Sequence, residues 1–468
     1  MKNKLLTLLL FLISLTTVAQ DITGKWNGLL KLPGFELRIV FKVSKNGETY
    51  ATTMDSPDQG AFGIPMTSTE LRGMSLKITH TAASIVYEGK ISDDQKITGT
   101  FTQAGQVFPL ELTRTAVDKK AIIRPQDPVK PYPYYCEDVV IHNVTDSVDI
   151  AGTLTLPTKD GIYPVVILIS GSGPQNRDEE LLGHKPFLIL SDFLTRNGIA
   201  VLRFDDRGTN LSTGSFSQAT SVDFAHDVEC VVKYLINRKE INKAKIGLIG
   251  HSEGGIIAPI VAAANKNVSF IVLMAGTGVR GDELLLMQQE AIGKVSGVSD
   301  NDLAKIKFIN RKAFDIVLEN TDNKILETKL SEYLKTIVKD IPASQRSEGM
   351  TDDQLIELIV KQTTSPWMLY FIRHDPAQVL NNVKCPVLAI NGSNDLQVPS
   401  KSNLEAIRAS LIKAGNQNFT ITELNGLNHL FQECKTGNPA EYSTIEQTIS
   451  PVALNAILEW ITKVTNEL

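Results

Sequence analysis

The spacing of apolar and polar residues divides the chain into two regions. From residue 20 to residue 115, short runs of strand-like composition alternate with turns such as Asn46-Gly47. Several short strands at this spacing predict a small all-β, barrel-like domain, with a sandwich as the alternative. The predicted strands are 26–30, 37–43, 49–54, 76–79, 84–89, 96–102 and 108–112.

A proline-rich linker at residues 116–134 is followed by alternating strands and helices from residue 135 to residue 468. This alternation predicts an α/β domain, with a mostly parallel sheet and helices on both faces. The interval from about 277 to 382 is too long for a crossover and has helical spacing, so we expect a helical cap there. The predicted strands are a hairpin (139–141 and 150–156) and then 164–170, 199–204, 245–249, 269–274, 386–391 and 419–424, before a closing helix at 451–465.

The first 19 residues have the pattern of a secretory signal peptide. Lys2 and Lys4 precede an apolar run at residues 5–15, and small residues follow, ending at Ala19. The run is too short to span a bilayer. We therefore expect cleavage after Ala19, export to the periplasm or the medium, and no membrane insertion of the mature chain.

Composition excludes some classes of partner. The net charge is −5, and both signs are interspersed, which gives no indication of nucleic acid or of an anionic membrane as a partner. Cys136, Cys230, Cys385 and Cys434 form neither a C-x-x-C motif nor a Cys/His cluster, so we expect no metal site. A disulfide and free thiols both remain open, as does the oligomeric state.

Residues 250–254, Gly-His-Ser-Glu-Gly, match the G-x-S-x-G nucleophile elbow. A predicted strand precedes this motif and an apolar helix follows it, which is the context that the motif requires. The flanking glycines suit a tight, strained turn in which a Cβ atom would crowd the backbone. Ser252 is therefore the candidate nucleophile.

A serine hydroxyl needs a base that accepts its proton. Of the seven histidines, His429 follows the last predicted strand, on a loop at the carboxyl edge of the sheet. We expect the side chain of His251 to point away from Ser252, whereas His184 and His374 remain possible. Position therefore favours His429.

The base needs a carboxylate to hold its tautomer. Asp395 directly follows a predicted strand, and the chain order Ser252, Asp395, His429 is the order of the α/β-hydrolase triad. Asp375 is the second candidate. The sequence thus predicts Asp395 as the acid.

Backbone N–H groups are expected to form an oxyanion hole. One is that of Glu253, the residue after the nucleophile. The second is expected from the loop after strand 164–170, on Ser172 or, next to it, Gly173. For the nearby Asp206 and Arg207 we expect a structural role, in which they hold loops through charge-assisted hydrogen bonds.

With these motifs, residues 135–468 resemble an α/β-hydrolase. The segments Gly-Ser-Gly-Pro at 171–174, Asp-Asp-Arg-Gly at 205–208 and Gly-His-Ser-Glu-Gly-Gly at 250–255 are similar to exported bacterial esterases of the dienelactone-hydrolase and serine-aminopeptidase-like group. The segment Gly208-Thr209-Asn210 lacks the second glycine often found there. The resemblance implies the α/β-hydrolase fold and acyl-transfer chemistry.

The leading hypothesis is therefore a carboxylic ester hydrolase that acts on a small-molecule ester through an acyl-enzyme, without a cofactor. The cap is expected to set specificity, with Trp367, Tyr370 and Phe371 as pocket walls or, alternatively, as core residues. One alternative is an exported peptidase or amidase, in which Glu179-Glu180 or Asp375 anchors an amino terminus. The other alternative is a binding protein on a hydrolase scaffold.

Overall fold

The computed structural model describes residues 21–468 except 33–34, 48, 58–60, 82–84, 94, 104–105, 118–123 and 342–350. The predicted signal peptide at residues 1–19 lies outside the described residues. Within the described ranges, no helix is both long and apolar enough to cross a membrane.

The N-terminal region forms one curled antiparallel sheet. Its strands are β1 (Gly24–Leu32), β2 (Phe35–Asn46), β3 (Thr49–Ser56), β4 (Ala61–Pro65), β5 (Ser68–Arg72), β6 (Ser75–His80), β7 (Ile85–Asp93), β8 (Lys96–Gln103) and β9 (Gln106–Thr113). They lie in the order β4-β3-β2-β1-β9-β8-β7-β6-β5. The curl brings β5 back to β3, where the hydroxyls of Thr69 and Thr52 lie 2.8 Å apart. The concave face encloses a core that includes Trp26, Phe41 and Tyr87.

The seven strands predicted in this region are present, and β4 and β5 are additional. The sequence of β5, Ser-Thr-Glu-Leu-Arg, has no buried residue. A strand of this kind carries no apolar alternation, so pattern analysis does not detect it.

The second region has the predicted α/β-hydrolase fold. Its sheet has the order β10-β11-β13-β12-β14-β15-β16-β17. Strand β11 is antiparallel to both of its neighbours, β10 and β13, and the other neighbouring strands are parallel to each other. The strands are β10 (Tyr135–Asn143), β11 (Val148–Leu156), β12 (Tyr163–Ile169), β13 (Ala200–Phe204), β14 (Ile241–His251), β15 (Phe270–Met274), β16 (Val387–Gly392) and β17 (Phe419–Leu424).

Helices cover both faces of this sheet. Helices α1 (Pro186–Arg196) and α11 (Pro451–Glu467) pack on one face, and α2 (Ser221–Ile236), α3 (Gly254–Ala264) and α10 (Ser400–Lys413) pack on the other. Every residue of β15 is buried as a result. This burial on both faces explains the continuous apolar runs of the parallel strands.

The predicted cap lies between β15 and β16 and is helical in its described residues. It consists of α4 (Gly281–Val295), α5 (Asp300–Glu319), α6 (Asn323–Ile337), α7 (Asp352–Thr363), α8 (Pro366–Arg373) and α9 (Pro376–Leu380). It has an apolar core of its own, which contains Val317, Leu330 and Ile372.

The described part of the linker lies against the α/β domain. Arg124 donates hydrogen bonds to the carbonyl oxygens of Ile445 (2.8 Å) and Leu182 (3.1 Å). Gln126 donates to the carbonyl oxygen of Ile449 at 2.7 Å. These bonds attach the linker to two loops beside the carboxyl edge of the sheet.

Candidate active site

Ser252 occupies a strained turn between β14 and α3. Its φ is +53°, a backbone conformation that residues with a side chain rarely adopt. A Cβ atom at Gly250 would lie 1.9 Å from the carbonyl oxygen of Gly254, and one at Gly254 would lie 2.2 Å from that of Ile169. Glycine is therefore required at both flanks, and the turn places Ser252 beside the N-terminus of α3.

His429 and Asp395 meet on the loops that follow β17 and β16. Nδ1 of His429 lies 2.8 Å from Oδ2 of Asp395. The other carboxylate oxygen accepts hydrogen bonds from the backbone N–H groups of Gln397 (2.8 Å) and Val398 (2.9 Å). Both side chains are buried, so the carboxylate and the imidazole hold each other in one orientation.

Asp375, the second candidate acid, caps α9 by accepting a hydrogen bond from the N–H of Ala377 at 3.1 Å. His374, buried at the end of α8, stacks against Tyr370 at 5.3 Å between ring centroids. Burial lowers the pKa of His374 to about 4, although Asp375 opposes this shift. The structure therefore places these residues in the cap and pairs His429 with Asp395.

A small cavity of about 100 Å³ joins the candidate residues. Ser252 and His429 both line it, together with Ser172, Gln397 and Leu430. Its walls are partly polar and partly apolar. The cavity is therefore a place where a small group could contact the serine and the imidazole together.

The predicted oxyanion residues lie at the same end of the sheet. Glu253 is the N-cap residue of α3, directly after Ser252. Ser172 lines the cavity, and Gly173 beside it has a φ of +95°, which bends the loop. The N–H of the preceding Gly171 donates to Oε1 of Glu179 at 2.7 Å. The loop after β12 is thus held by a buried carboxylate.

The side chain of Glu253 has a role that sequence analysis missed. Its carboxyl group is buried and accepts hydrogen bonds from the hydroxyl of Ser221 (2.6 Å) and the indole N–H of Trp367 (2.8 Å). Burial raises the pKa of Glu253, against the effect of both hydrogen bonds. Because Trp367 lies 114 residues away in the cap, local sequence carried no signal for this contact.

The three cap aromatics proposed as pocket walls all lie on α8. Trp367 stacks on Phe371 with ring centroids 5.0 Å apart. Phe371 is buried in an apolar cluster that contains Ile256 of α3. Burial raises the pKa of Tyr370 to about 12. These contacts attach the cap to the elbow helix, and the described lining of the cavity consists of other residues.

His251 lies close to the site, whereas the sequence suggested that its side chain points away from Ser252. The ring lines the same cavity, and its centroid is 4.9 Å from that of His429. Nδ1 lies 2.9 Å from Oε1 of Glu179, and Nε2 lies 3.0 Å from the carbonyl oxygen of His429. The bend of the elbow turns the ring along the cavity wall.

His184, which the sequence left open as a base, is buried at another wall of the cavity. Its two ring nitrogens each lie 2.8 Å from an oxygen atom, the hydroxyl of Thr448 and the carbonyl of Tyr442. Burial lowers the pKa of His184, although the Tyr442 hydrogen bond opposes the shift. Its contacts connect loops of the scaffold.

Asp206 and Arg207, which follow β13, have the structural contacts expected of them. Asp206 is buried and accepts hydrogen bonds from the hydroxyl of Ser170 (2.7 Å) and the N–H of Gln175 (3.0 Å). Burial raises the pKa of Asp206 well above its usual range. Arg207 pairs with Asp227 at 2.7 Å. The bonds of Asp206 fix the loop that carries Ser172, and the Arg207 pair attaches the loop after β13 to α2.

In the part of the chain that the structure describes, one group of side chains is close enough together to hold a metal ion: Asp146, Asp223 and His226. Arg207 already pairs with Asp146 at 2.7 Å, and none of the three residues lines the cavity. All four cysteines are free thiols.

Comparison with known proteins agrees with this architecture. Residues 228–433, less than half of the chain, match a family described as BAAT/acyl-CoA thioester hydrolase C-terminal. Esterase EstD of Thermotoga maritima is 24% identical over 338 residues, which cover 72% of this chain and 70% of EstD. Together with the order of the strands, these similarities agree with the α/β-hydrolase fold and support a hydrolase.

The solved structures that match this chain share little sequence with it. The α/β hydrolase GrgF from Penicillium sp. sh18 is 15% identical with a TM-score of 0.43, and the match covers 70% of this chain and 98% of GrgF. An esterase of Pyrococcus furiosus is 18% identical with a TM-score of 0.42, covering 75% and 99%. Est1E of Butyrivibrio proteoclasticus with bound ferulic acid is 15% identical with a TM-score of 0.40, covering 70% and 99%.

Proposed function

We propose that this protein is a serine ester hydrolase, with Ser252 as nucleophile, His429 as general base and Asp395 as the carboxylate that orients the base. The observation that carries the proposal is the 2.8 Å contact between Asp395 and His429 beside the cavity that Ser252 also lines. The sequence similarity to esterase EstD supports it.

In the proposed reaction, Oγ of Ser252 attacks the ester carbonyl carbon while Nε2 of His429 takes the hydroxyl proton. The tetrahedral intermediate expels the alcohol, which receives this proton, and an acyl-enzyme remains. A water molecule then attacks the acyl carbon, giving its proton to His429. The carboxylic acid and Ser252 are released as this proton returns to the serine oxygen, and the acid then loses its own proton to water. Asp395 stabilises the imidazolium at both stages.

The negative charge on the carbonyl oxygen needs N–H donors during both attacks. We assign this role to the backbone N–H of Glu253 and to that of Ser172 or Gly173. The N-terminus of α3 adds a favourable electrostatic potential there, because its N–H dipoles point toward Ser252.

The size of the cavity favours a short acyl group. A volume of about 100 Å³ is well below the roughly 300–1,000 Å³ of pockets that hold drug-sized ligands. An acetyl or propionyl group is therefore the preferred acyl portion. The carboxylate of Glu179 is already hydrogen-bonded to His251 and to the N–H of Gly171. These contacts argue against Glu179 as the group that anchors the amino terminus of a peptide.

The test compares p-nitrophenyl acetate, butyrate and octanoate with aminoacyl-p-nitroanilides, using residues 20–468 and a Ser252→Ala variant. We expect the highest kcat/KM for acetate and a loss of roughly 10⁴-fold or more in the variant, which lacks the nucleophile. Anilide cleavage that depends on Ser252 would change the assignment to a peptidase. Ester hydrolysis that persists in the variant would contradict the proposed mechanism.

We further propose that residues 1–19 direct export, because they combine a basic start, an apolar run and a small-residue cleavage site. Amino-terminal sequencing of the protein recovered outside the cytoplasm is expected to begin at Gln20. Retention of Met1 in a cytoplasmic product would contradict this proposal.

A further inference from the structure

A second histidine–carboxylate pair lies beside the proposed catalytic one. Glu179 and His251 are each only about 5% exposed, and Nδ1 of His251 lies 2.9 Å from Oε1 of Glu179. The opposite nitrogen, Nε2, lies 3.0 Å from the backbone carbonyl oxygen of His429. His251 therefore connects a carboxylate with the backbone of the proposed base.

The partners of His251 determine which of its nitrogens carry a hydrogen. A backbone carbonyl oxygen can only accept, so Nε2 must donate to His429. Oε1 of Glu179 also accepts the N–H of Gly171 at 2.7 Å, which identifies this oxygen as an acceptor. An ionised Glu179 then requires a hydrogen on Nδ1 as well. An imidazole with a hydrogen on both nitrogens is a cation.

The charges around His251 also favour its cationic state. Burial alone lowers the pKa of His251, but the charge and hydrogen bond of Glu179 raise it, and the net direction is upward. The carbonyl of His429 and the more distant charge of Asp395 act in the same direction. The titratable groups around His251 thus come from the loops after β12, β16 and β17, and both carboxylates favour the cation.

We infer that Glu179 and His251 form a permanent buried ion pair that positions the catalytic groups. The pair links the loop of the proposed oxyanion donors, through Gly171, to the backbone of His429. The ring of His251 also packs directly against the ring of His429, with centroids 4.9 Å apart. This inference rests on the proposed function, because it takes His429 to be the base.

The protonation state can be measured without any activity. Full-length mature chain carrying Ser252→Ala and ¹⁵N-labelled histidine is examined by NMR at pH 8. We expect one imidazole with both nitrogens protonated, and we expect this signal to be absent from a His251→Gln variant. If every histidine has an unprotonated nitrogen at pH 8, the ion pair does not exist and the inference is wrong.

The positioning role is tested by the pH dependence of kcat/KM in His251→Gln, Glu179→Gln and the double variant. His251→Gln leaves the negative charge of Glu179 uncompensated near His429. We therefore expect the acid limb of the profile to move up by about one pH unit. We also expect kcat to fall about tenfold with a smaller change in KM, since the base is misplaced. The double variant removes both charges, so its acid limb is expected to return most of the way to the position found in the parent protein.

Glu180→Gln is the matched control, because Glu180 is the exposed neighbour of Glu179 and lies outside the cavity lining. Its profile is expected to match that of the parent. If the Glu179 and His251 variants lose only thermal stability, with the acid limb and kcat unchanged, the pair is merely structural. If the variants do not fold, the NMR measurement on the chain that retains His251 still decides whether the ion pair exists. A parent chain without esterase activity would contradict the proposed function, whereas the NMR measurement would still test the ion pair.

Discussion

The two sheets of this protein bury their residues in different ways. Burial alternates along β6 of the N-terminal sheet, whereas every residue of β15 in the α/β sheet is buried. An antiparallel sheet can leave one face to solvent, but a parallel sheet is covered on both faces by its crossover helices. Polar groups of the α/β domain are therefore concentrated where its strands end.

That concentration is visible in the buried titratable groups. Asp206, Glu253, Asp395 and His429 are all buried, and all follow carboxyl ends of parallel strands. In the N-terminal sheet the buried Asp55 is instead paired with Lys42 at 2.6 Å. The comparison teaches that buried titratable groups gather at the carboxyl edge of the parallel sheet, whereas Asp55 of the antiparallel sheet is neutralised by a neighbouring lysine.

The largest difference between the two regions is expected in kcat, when Asp395 of the α/β domain is substituted. On the proposed mechanism, Asp395→Asn removes the charge that stabilises the imidazolium, so kcat is expected to fall roughly 10⁴-fold, with little change in melting temperature. Asp375→Asn is the control, since asparagine caps a helix as well as aspartate does, and we expect a change of less than about threefold. Equal losses in the two variants would contradict the assignment of the acid.

The converse test changes the N-terminal sheet. Trp26 is 1% exposed and donates to the carbonyl oxygen of Ile22 at 2.8 Å. Trp26→Ala is expected to lower the free energy of unfolding of this region by about 3–5 kcal/mol in denaturant titration. Val107→Ala, at an exposed position of β9, should cost less than about 0.5 kcal/mol. A large fall in kcat with Trp26→Ala would show that the sheet takes part in catalysis.

His374 makes the stability of the α/β domain depend on pH. Its pKa is about 4 in the folded chain and about 6.5 when unfolded, so the unfolded state binds more protons between these values. Stability is therefore expected to fall as the pH decreases from 6.5 to 4, by at most about 3 kcal/mol. His374→Phe should flatten this slope in urea titrations. Ile325→Ala, at an exposed position of the cap without a titratable side chain, should leave the slope unchanged.

The smallest expected effect concerns the linker that joins the two regions. Arg124→Leu leaves the carbonyl oxygens of Leu182 and Ile445 without their donor, at a cost of about 1–3 kcal/mol. The loss should appear in the unfolding of the α/β domain, because both carbonyls belong to it. Lys130→Ala, at an exposed linker position, serves as the control. A loss confined to the N-terminal sheet would contradict this placement of the linker.

Sequence alone identified those features that depend on neighbouring residues. The glycines around Ser252, the apolar runs of the parallel strands and the helical spacing of the cap are local patterns, and each appears in the structure. The candidates Asp395 and His429 could also be identified from the sequence, because a residue that follows a parallel strand must lie at the carboxyl edge of the sheet.

Tertiary structure alone decided which distant groups touch. Glu179 meets His251 across 72 residues, and Glu253 meets Trp367 across 114. The polar strand β5 is held by the curl of its sheet, not by an apolar pattern of its own. The physical reason is that such contacts depend on how loops and layers pack, and packing joins residues whose separation along the chain carries no periodic signal.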